Sequence, residues 1–332
     1  MATSTSPVAI VGAGPTGIAC AIELSHRGIE AVCYDKGFLL DTIYHFPEEM
    51  RWFSTRDLLD IAGVPFATPD AHPTRLESLA YYRGVAEKFR VRVAPHTRVL
   101  DIRPRPLEGL LLAIEDRSGR REISAPAAIL ATGFFGNPRR LDVSGEDLQH
   151  VHRRFVSGYP FHDQDVVVIG AKNSAAEAAL DLYRHGARVT LVVRGEAISD
   201  RVKYWIKPDL ENRIRAGAIR ALFRTCVVEI TPDTVLVEGP EGRRAISAEA
   251  VFPLIGYAPD FSLFERLGIR LEGPNRVPAY DPETLETNVP NLYLAGAILG
   301  GTEIGRIFIE NGRHHAGLIA AAIARRLQVV TA

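Results

Sequence analysis

One feature narrows the possible folds more than any other: the chain contains the same segment twice. With Val8 set over Val166, VAIVGAGPTGIACAIELSHRGIEAVCYDK (residues 8–36) lies over VVVIGAKNSAAEAALDLYRHGARVTLVVR (residues 166–194) without a gap. Gly12 falls on Gly170, Leu24 on Leu182 and Gly28 on Gly186. Each copy opens with a β-branched run, which suits a strand buried on both faces of a parallel sheet. A glycine turn follows. Apolar residues then recur at helical spacing: Ile18, Ala21, Ile22 and Leu24 in the first copy, Ala176, Ala179, Leu180 and Leu182 in the second. Gly28 and Gly186 fit the position just past a helix, where left-handed backbone favours glycine. A second strand then begins. The pattern predicts an α/β chain with two Rossmann-like dinucleotide-binding domains.

The 332 residues suffice for two domains, each with its own core. Strands are expected over Arg90 to Asp101 and Leu110 to Glu115, joined by a Pro104–Pro106 turn, and over Ala128 to Thr132. Val227 to Val237 and Ala245 to Leu254 repeat that pattern after the second copy, with Leu254-Ile255-Gly256 in the place of Ala131-Thr132-Gly133. A last strand, Asn291 to Ala295, leads through Gly296 to a helix from about Arg306 to Leu327. If that helix returns to the first domain, residues 1–138 and 257–332 form one domain and 139–256 a second, inserted one.

GAGPTG after a strand and before a helix gives each glycine a task. Gly12 makes the tight turn, Gly14 lets backbone approach a pyrophosphate, and Gly17 lets the helix pack on the strand. The helix N-terminus offers unpaired N–H groups and positive dipole. Asp35 ends the next strand, where a carboxylate accepts from ribose hydroxyls. The second loop differs at the equivalent point. Val193 followed by Arg194 repels no 2′-phosphate and offers a planar clamp for one, which favours NADPH over NADH. Lys203 is a further candidate, while Arg201 reads as a solvated cation. Lys172 replaces the second glycine, giving GAKNSA; Asn173 and Ser174 have groups that donate to phosphate, and Ala175 keeps the helix close.

Charge and cysteine content exclude other classes. A formal net charge of −1 gives no electrostatic ground for nucleic acid or an acidic membrane. The longest apolar stretch, Ala316 to Ala324, is too short to span a bilayer. Met1 to Pro7 reads as no secretory signal. Three scattered cysteines, Cys20, Cys33 and Cys226, imply no disulfide framework and fit a reducing cytoplasm. Cys33 and Cys226 read as packing residues. No metal site is expected.

The two loops, the inserted-domain order and the closing Gly296 resemble the thioredoxin reductase-like flavoprotein disulfide reductases. More closely, the chain resembles the bacillithiol disulfide reductase family. The resemblance rests on GAGPTG, RWFSTRDLLDIAGVPF (residues 51–66), YYRGVAEK (81–88), ATGFFGNP (131–138), FHDQDVVVIGAKNSAAEAALDLYRHGA (161–187) and VKYWIKPDLENRI (202–214). It continues in IGYAPD (255–260), YLAGAI (293–298) and IFIENGRHHAG (307–317). It implies FAD in the first domain, NADPH in the second, and a homodimer. Hydride would pass from NADPH to flavin N5 and on to an unidentified acceptor.

Two departures bear on chemistry. The family's GAGPTG segment usually carries a cysteine where this chain has Thr16. No C-x-x-C occurs, so dithiol exchange of the thioredoxin reductase kind is excluded. Cys20, one turn beyond Thr16, is a displaced candidate thiol, although free cysteine is usually a small buried hydrophobe. The Gly-Asp pair common near the flavin reads Gly296-Ala297, so backbone groups are expected to hold the ring, with a helix start near Arg306 to Ile309 at its pyrimidine edge.

The implied FAD contacts are Gly12, Gly14, Pro15, Thr16, Gly17, Asp35, Lys36, Val99, Ala131, Thr132 and Gly133, with Gly296 and Ile307 at the ring. Thr42, Tyr44 and Ser54 lie where related proteins wrap the flavin, and Phe53 reads equally as a core aromatic. The NADPH contacts are Gly170, Lys172, Asn173, Ser174, Ala175, Arg194, Lys203 and Gly256. His314 and His315 read as surface or packing residues. The electron acceptor is expected to be a small-molecule disulfide or a small redox protein such as ferredoxin or flavodoxin. A flavin monooxygenase is disfavoured by Gly145 to Phe155, and a non-catalytic NADPH or redox sensor is a fourth reading.

Overall fold

The computed structural model describes residues 6–105, 108–303 and 305–330. The chain opens with β1 (Val8–Val11), α1 (Pro15–Ser25) and β2 (Ala31–Tyr34), the predicted βαβ unit. Short helices α2 (Asp41–Tyr44) and α3 (Arg56–Leu59) follow, then α4 (Arg75–Lys88). Helix α4 starts on a reciprocal cap: Thr74 Oγ1 accepts from the Glu77 amide while the Glu77 carboxylate accepts from the Thr74 amide. Next come β3 (Val93–Ala94), the meander β4 (Arg98–Arg105), β5 (Gly109–Asp116) and β6 (Gly119–Ala125), and then β7 (Ala128–Leu130).

The second βαβ unit is β8 (Asp165–Ile169), α5 (Asn173–Arg184) and β9 (Arg188–Val192). It continues through α6 (Lys207–Arg215) and β10 (Arg220–Leu222). The meander β11 (Cys226–Ile230), β12 (Thr234–Gly239) and β13 (Gly242–Ser247) precedes β14 (Ala250–Pro253). The chain then forms α7 (Phe261–Arg266), the ribbon β15 (Leu271–Glu272) and β16 (Val277–Pro278), β17 (Leu292–Leu294), α8 (Ile309–Gly312) and α9 (His315–Val330).

Two compact units result. The first comprises residues 1–44, 54–137 and 258–332; the second comprises 45–53 and 138–257. In the first, a parallel sheet runs β17-β7-β1-β2-β3. Helix α9 packs along α1, and its buried Ala316, Ile319, Ala320 and Ile323 recur at the spacing of one helix face. The second unit has a parallel sheet β10-β9-β8-β14. There α5 turns Ala175, Ala176, Ala178 and Ala179 inward, all fully or almost fully buried. Side chains this small let the helix lie close on its sheet.

Several expected elements divide where local chemistry dictates. The strand expected over Arg90 to Asp101 is two strands in different sheets, because Arg90 and His96 take left-handed backbone and Pro95 intervenes. Strand β4 runs through Pro104, which pairs with Leu110 on an edge strand that tolerates a missing N–H. Pro106 lies outside the described residues. Val227 to Val237 folds back at Pro232, and Ala245 to Leu254 is cut at Ala248–Glu249 into strands of different sheets. The expected helix from Arg306 begins at Ile309 and is broken at Arg313–His314.

Candidate functional site

The first cradle forms where β1 turns into α1. Gly12 has φ +113°, and a Cβ there would lie 2.5 Å from the Ala131 carbonyl oxygen. A Cβ at Gly17 would lie 2.1 Å from the Gly12 carbonyl oxygen. These two glycines are required by the protein's own packing. Gly14 differs: a Cβ there meets nothing within 4 Å. Gly14 is the N-cap of α1, Pro15 fills a first-turn position that needs no N–H, and no side chain caps the helix. The first intrahelical bond runs from Ile18 N–H to the Gly14 carbonyl, so the amides of Thr16 and Gly17 have no helical acceptor. This is an anion cradle whose open face a side chain at Gly14 would fill.

Asp35 closes one end of the cradle. Its Oδ2 accepts from Ala13 N–H and its Oδ1 from Gly37 N–H, each at 2.8 Å. Burial pushes its carboxyl above the usual range, against the pull of both amides. Each oxygen keeps a lone pair for a further donor. Lys36 is exposed, with its ammonium 3.0 Å from where a Gly136 Cβ would stand. Ala131 and Thr132 leave β7, and Gly133 turns with φ +61°. Leu40 N–H donates to the Ala13 carbonyl and Thr97 N–H to the Asp35 carbonyl, which brings the segments bearing Thr42, Tyr44 and Val99 up to the cradle. Tyr44 is half exposed, edge-on to Phe38, with its carbonyl accepting from Arg75. Ser54 is half-buried where the chain re-enters the first unit.

Gly296 meets the cradle at Thr16. It has φ +80°, and a Cβ there would lie 3.0 Å from Thr16 Oγ1. Its N–H donates to His315 Nδ1 at 3.0 Å. The same glycine backs onto Gly312, whose own Cβ would stand 3.3 Å from Gly296 Cα and 3.7 Å from Ile307 Cγ2. Burial lowers the His315 imidazole to about 4, with His314 beside it adding to the shift. His315 is therefore neutral at pH 7, and its Nε2 carries the proton. In the sequence this residue reads only as a surface or packing histidine, outside the site. Its spacing from Ala316, Ile319, Ala320 and Ile323, on the inward face of α9, was the available signal.

The second cradle repeats the design with other side chains. Gly170 has φ +141°, and a Cβ there would lie 2.5 Å from the Leu254 carbonyl oxygen and 3.0 Å from Ala175 Cβ. Lys172 is the exposed N-cap of α5, Ser174 stands in the first turn, and no side chain caps the helix. Val193 is buried and Arg194 exposed. Gly256, with φ +102°, accepts from Arg139 N–H at 3.0 Å.

Two residues expected to meet phosphate are otherwise engaged. Asn173 receives Lys203 N–H on Oδ1 at 2.9 Å and donates Nδ2 to the Arg201 carbonyl at 3.1 Å, so its amide fixes the 201–203 loop. Lys203 is buried. Its ammonium pairs with Glu177, donates to the Arg51 carbonyl at 2.6 Å and lies 5.9 Å from the Trp205 ring centroid. Arg201 is exposed, as read. Phe53 corrects the core-aromatic reading: it is 61% exposed, stacked on Trp205, in the second unit.

The cysteines divide differently from the sequence reading. Cys20 and Cys33 are fully buried. Burial raises the Cys20 thiol to about 12, with Glu23 adding to it, and raises that of Cys33 still further. A thiol held this way is no nucleophile at neutral pH, which argues against Cys20 as a displaced redox thiol. Cys226, expected to pack, is exposed at the start of β11. Among the described residues no group of three or more His, Cys, Asp and Glu side chains is placed to hold a metal, and no helix is long and apolar enough to cross a membrane.

Comparison with known proteins gives the family and the fold. The model of the family "Pyridine nucleotide-disulphide oxidoreductase" matches residues 9–296. The chain is 38% identical over 318 residues to bacilliredoxin reductase Bdr of Bacillus subtilis, covering 96% of this chain and 97% of that one. The solved bacillithiol disulfide reductase Bdr (YpdA) of Bacillus cereus superposes with a TM-score of 0.93 at 38% identity, over 97% of this chain and 100% of that one. The thioredoxin reductase of T. acidophilum superposes at 0.74 over 96% of this chain and 98% of that one, at 20% identity, a likeness of fold.

Proposed function

Since the chain belongs to the pyridine nucleotide-disulphide oxidoreductase family, and within it to the bacillithiol disulfide reductase group, we propose that it uses NADPH and FAD to reduce a low-molecular-weight disulfide. It is a flavin-dependent oxidoreductase working with a nicotinamide nucleotide. One observation carries the finer reading: two cradles of one design end in opposite charge, Asp35 in the first and Val193-Arg194 in the second.

The residues fit their groups. The amides of Thr16 and Gly17 and the α1 dipole receive the FAD diphosphate, with Gly14 leaving it room. Asp35 takes ribose hydroxyls. The Gly296 turn, whose N–H is held by His315, and Ile307 would border the flavin ring. At the other cradle, Lys172 and the α5 N-terminus receive the NADPH diphosphate and Arg194 the 2′-phosphate. Bound FAD supplies two-electron chemistry between nicotinamide and acceptor. In the balanced reaction one NADPH and one proton convert a disulfide to two thiols and leave NADP+. A homodimer is part of this reading.

A second reading is electron transfer to a small redox protein. It is favoured by Thr16 and by the burial of Cys20, which leave the flavin cradle without an accessible thiol. The test is anaerobic mixing with NADPH and NADH. Rapid bleaching by NADPH, followed by reoxidation with bacillithiol disulfide and not with ferredoxin, is expected. Reoxidation by ferredoxin alone selects the second reading, and absence of bleaching on a turnover timescale defeats both.

A further inference from the structure

Strands β9 and β10 run parallel in register, with Val192 opposite Leu222. Beyond their C-terminal ends three backbone bonds lace the chains together. Val193 N–H donates to the Leu222 carbonyl at 2.9 Å, Thr225 N–H to Val193 at 3.1 Å, and Arg224 N–H to Gly195 at 2.8 Å. Arg194 and Arg224 are thus fixed on either side of Gly195, at the carboxyl edge of a parallel sheet, where such folds bind nucleotides. Arg224 holds left-handed backbone, φ +51°, unusual for a residue with a long side chain. Its Nη2 lies 2.9 Å from Glu196 Oε1, and both side chains are largely exposed. Among the described residues Arg194 makes no ion pair.

We propose that Arg224 is a second specificity-determining residue for the nucleotide 2′-phosphate, and that Glu196 is the carboxylate this phosphate displaces. The inference rests on the NADPH reading and adds the residue that reading lacks. A phosphate monoester carries roughly two negative charges at neutral pH, against one on Glu196. The exposed ion pair contributes little by itself, so exchanging it costs little. A guanidinium offers the phosphate two parallel N–H donors, where a lysine offers a point charge. Without a 2′-phosphate nothing draws Arg224 from Glu196. Preference for the phosphorylated nucleotide therefore comes from attraction by two arginines, and the repulsion of a carboxylate that only this nucleotide meets works against it.

The test is calorimetric titration of the full-length protein with NADP+ and, separately, NAD+. Arg224→Gly suits the left-handed backbone and removes the guanidinium. It is expected to weaken NADP+ about tenfold and leave NAD+ within about twofold. Glu196→Gln, which leaves Arg224 in place, is expected to tighten NADP+ about threefold with NAD+ unchanged. If Arg194→Ala weakens NADP+ while Arg224→Gly does not, the inference is overturned and the NADPH reading stands. Glu196→Gln that leaves NADP+ unchanged or weaker overturns the displacement. If the wild-type protein binds NADP+ and NAD+ alike, the NADPH reading falls and this inference with it.

Discussion

Single residues here differ in how far their type announces their state. Three cysteines look equivalent in the sequence, yet two are sealed in the core and one faces solvent. In the native protein, iodoacetamide should label Cys226 alone, with Cys20 and Cys33 labelled only after denaturation; mass spectrometry of the alkylated peptides decides. Cys20→Ala should leave disulfide turnover unchanged, since its thiol, near 12, holds almost no thiolate at pH 7. His315 makes a pH-dependent contribution whose sign follows from its burial. The unfolded chain takes up this proton near 6.5, whereas the folded protein resists it until about 4. Between those values the unfolded state binds more protons, so stability rises with pH across the window and is full above it. Urea midpoints at pH 5 and pH 7 should differ more in the wild-type protein than in His315→Gln; equal differences would remove His315 from the account.

At the scale of the element, the turn from β1 into α1 separates glycines that serve packing from one whose Cβ position is open. Gly17→Ala drives a methyl into the Gly12 carbonyl and should cost about 1–3 kcal/mol, seen as a lowered midpoint without cofactor. Gly14→Val sits in extended N-cap backbone with open space at its Cβ. It should cost less than about 1 kcal/mol without cofactor while abolishing flavin retention, read from the visible spectrum. Equal stability losses at both positions would mean that Gly14, too, is only structural. The motif G-x-G-x-x-G was plain in the sequence, but this division of labour depends on which carbonyl faces each Cα.

For the whole molecule, the segment 45–53 is the instructive part. It interrupts the first unit in sequence yet clusters with the second. The buried Lys203 ammonium, paired with Glu177 and bonded to the Arg51 carbonyl, fastens it there. Lys203→Met leaves Glu177 without its counter-charge, which should cost about 3–5 kcal/mol. Amide exchange should accelerate in residues 45–53 and stay unchanged in β1 and α1. Uniform acceleration would show that the lysine supports the whole fold rather than this attachment.

By itself the sequence determined the two βαβ units, their glycine turns and the opposed chemistry of Asp35 and Arg194. Each of these depends on neighbours within one short stretch, where hydrophobic period and backbone freedom act locally. The tertiary structure alone decided what long-range contact controls. It engaged the side chains of Lys203 and Asn173 in internal contacts, exposed Cys226 and Phe53, and set His315 against Gly296. It also placed Arg224 beside Arg194 across two parallel strands. A side chain's charge and size are written in its codon, but its burial and its partners are fixed only when distant strands and helices pack.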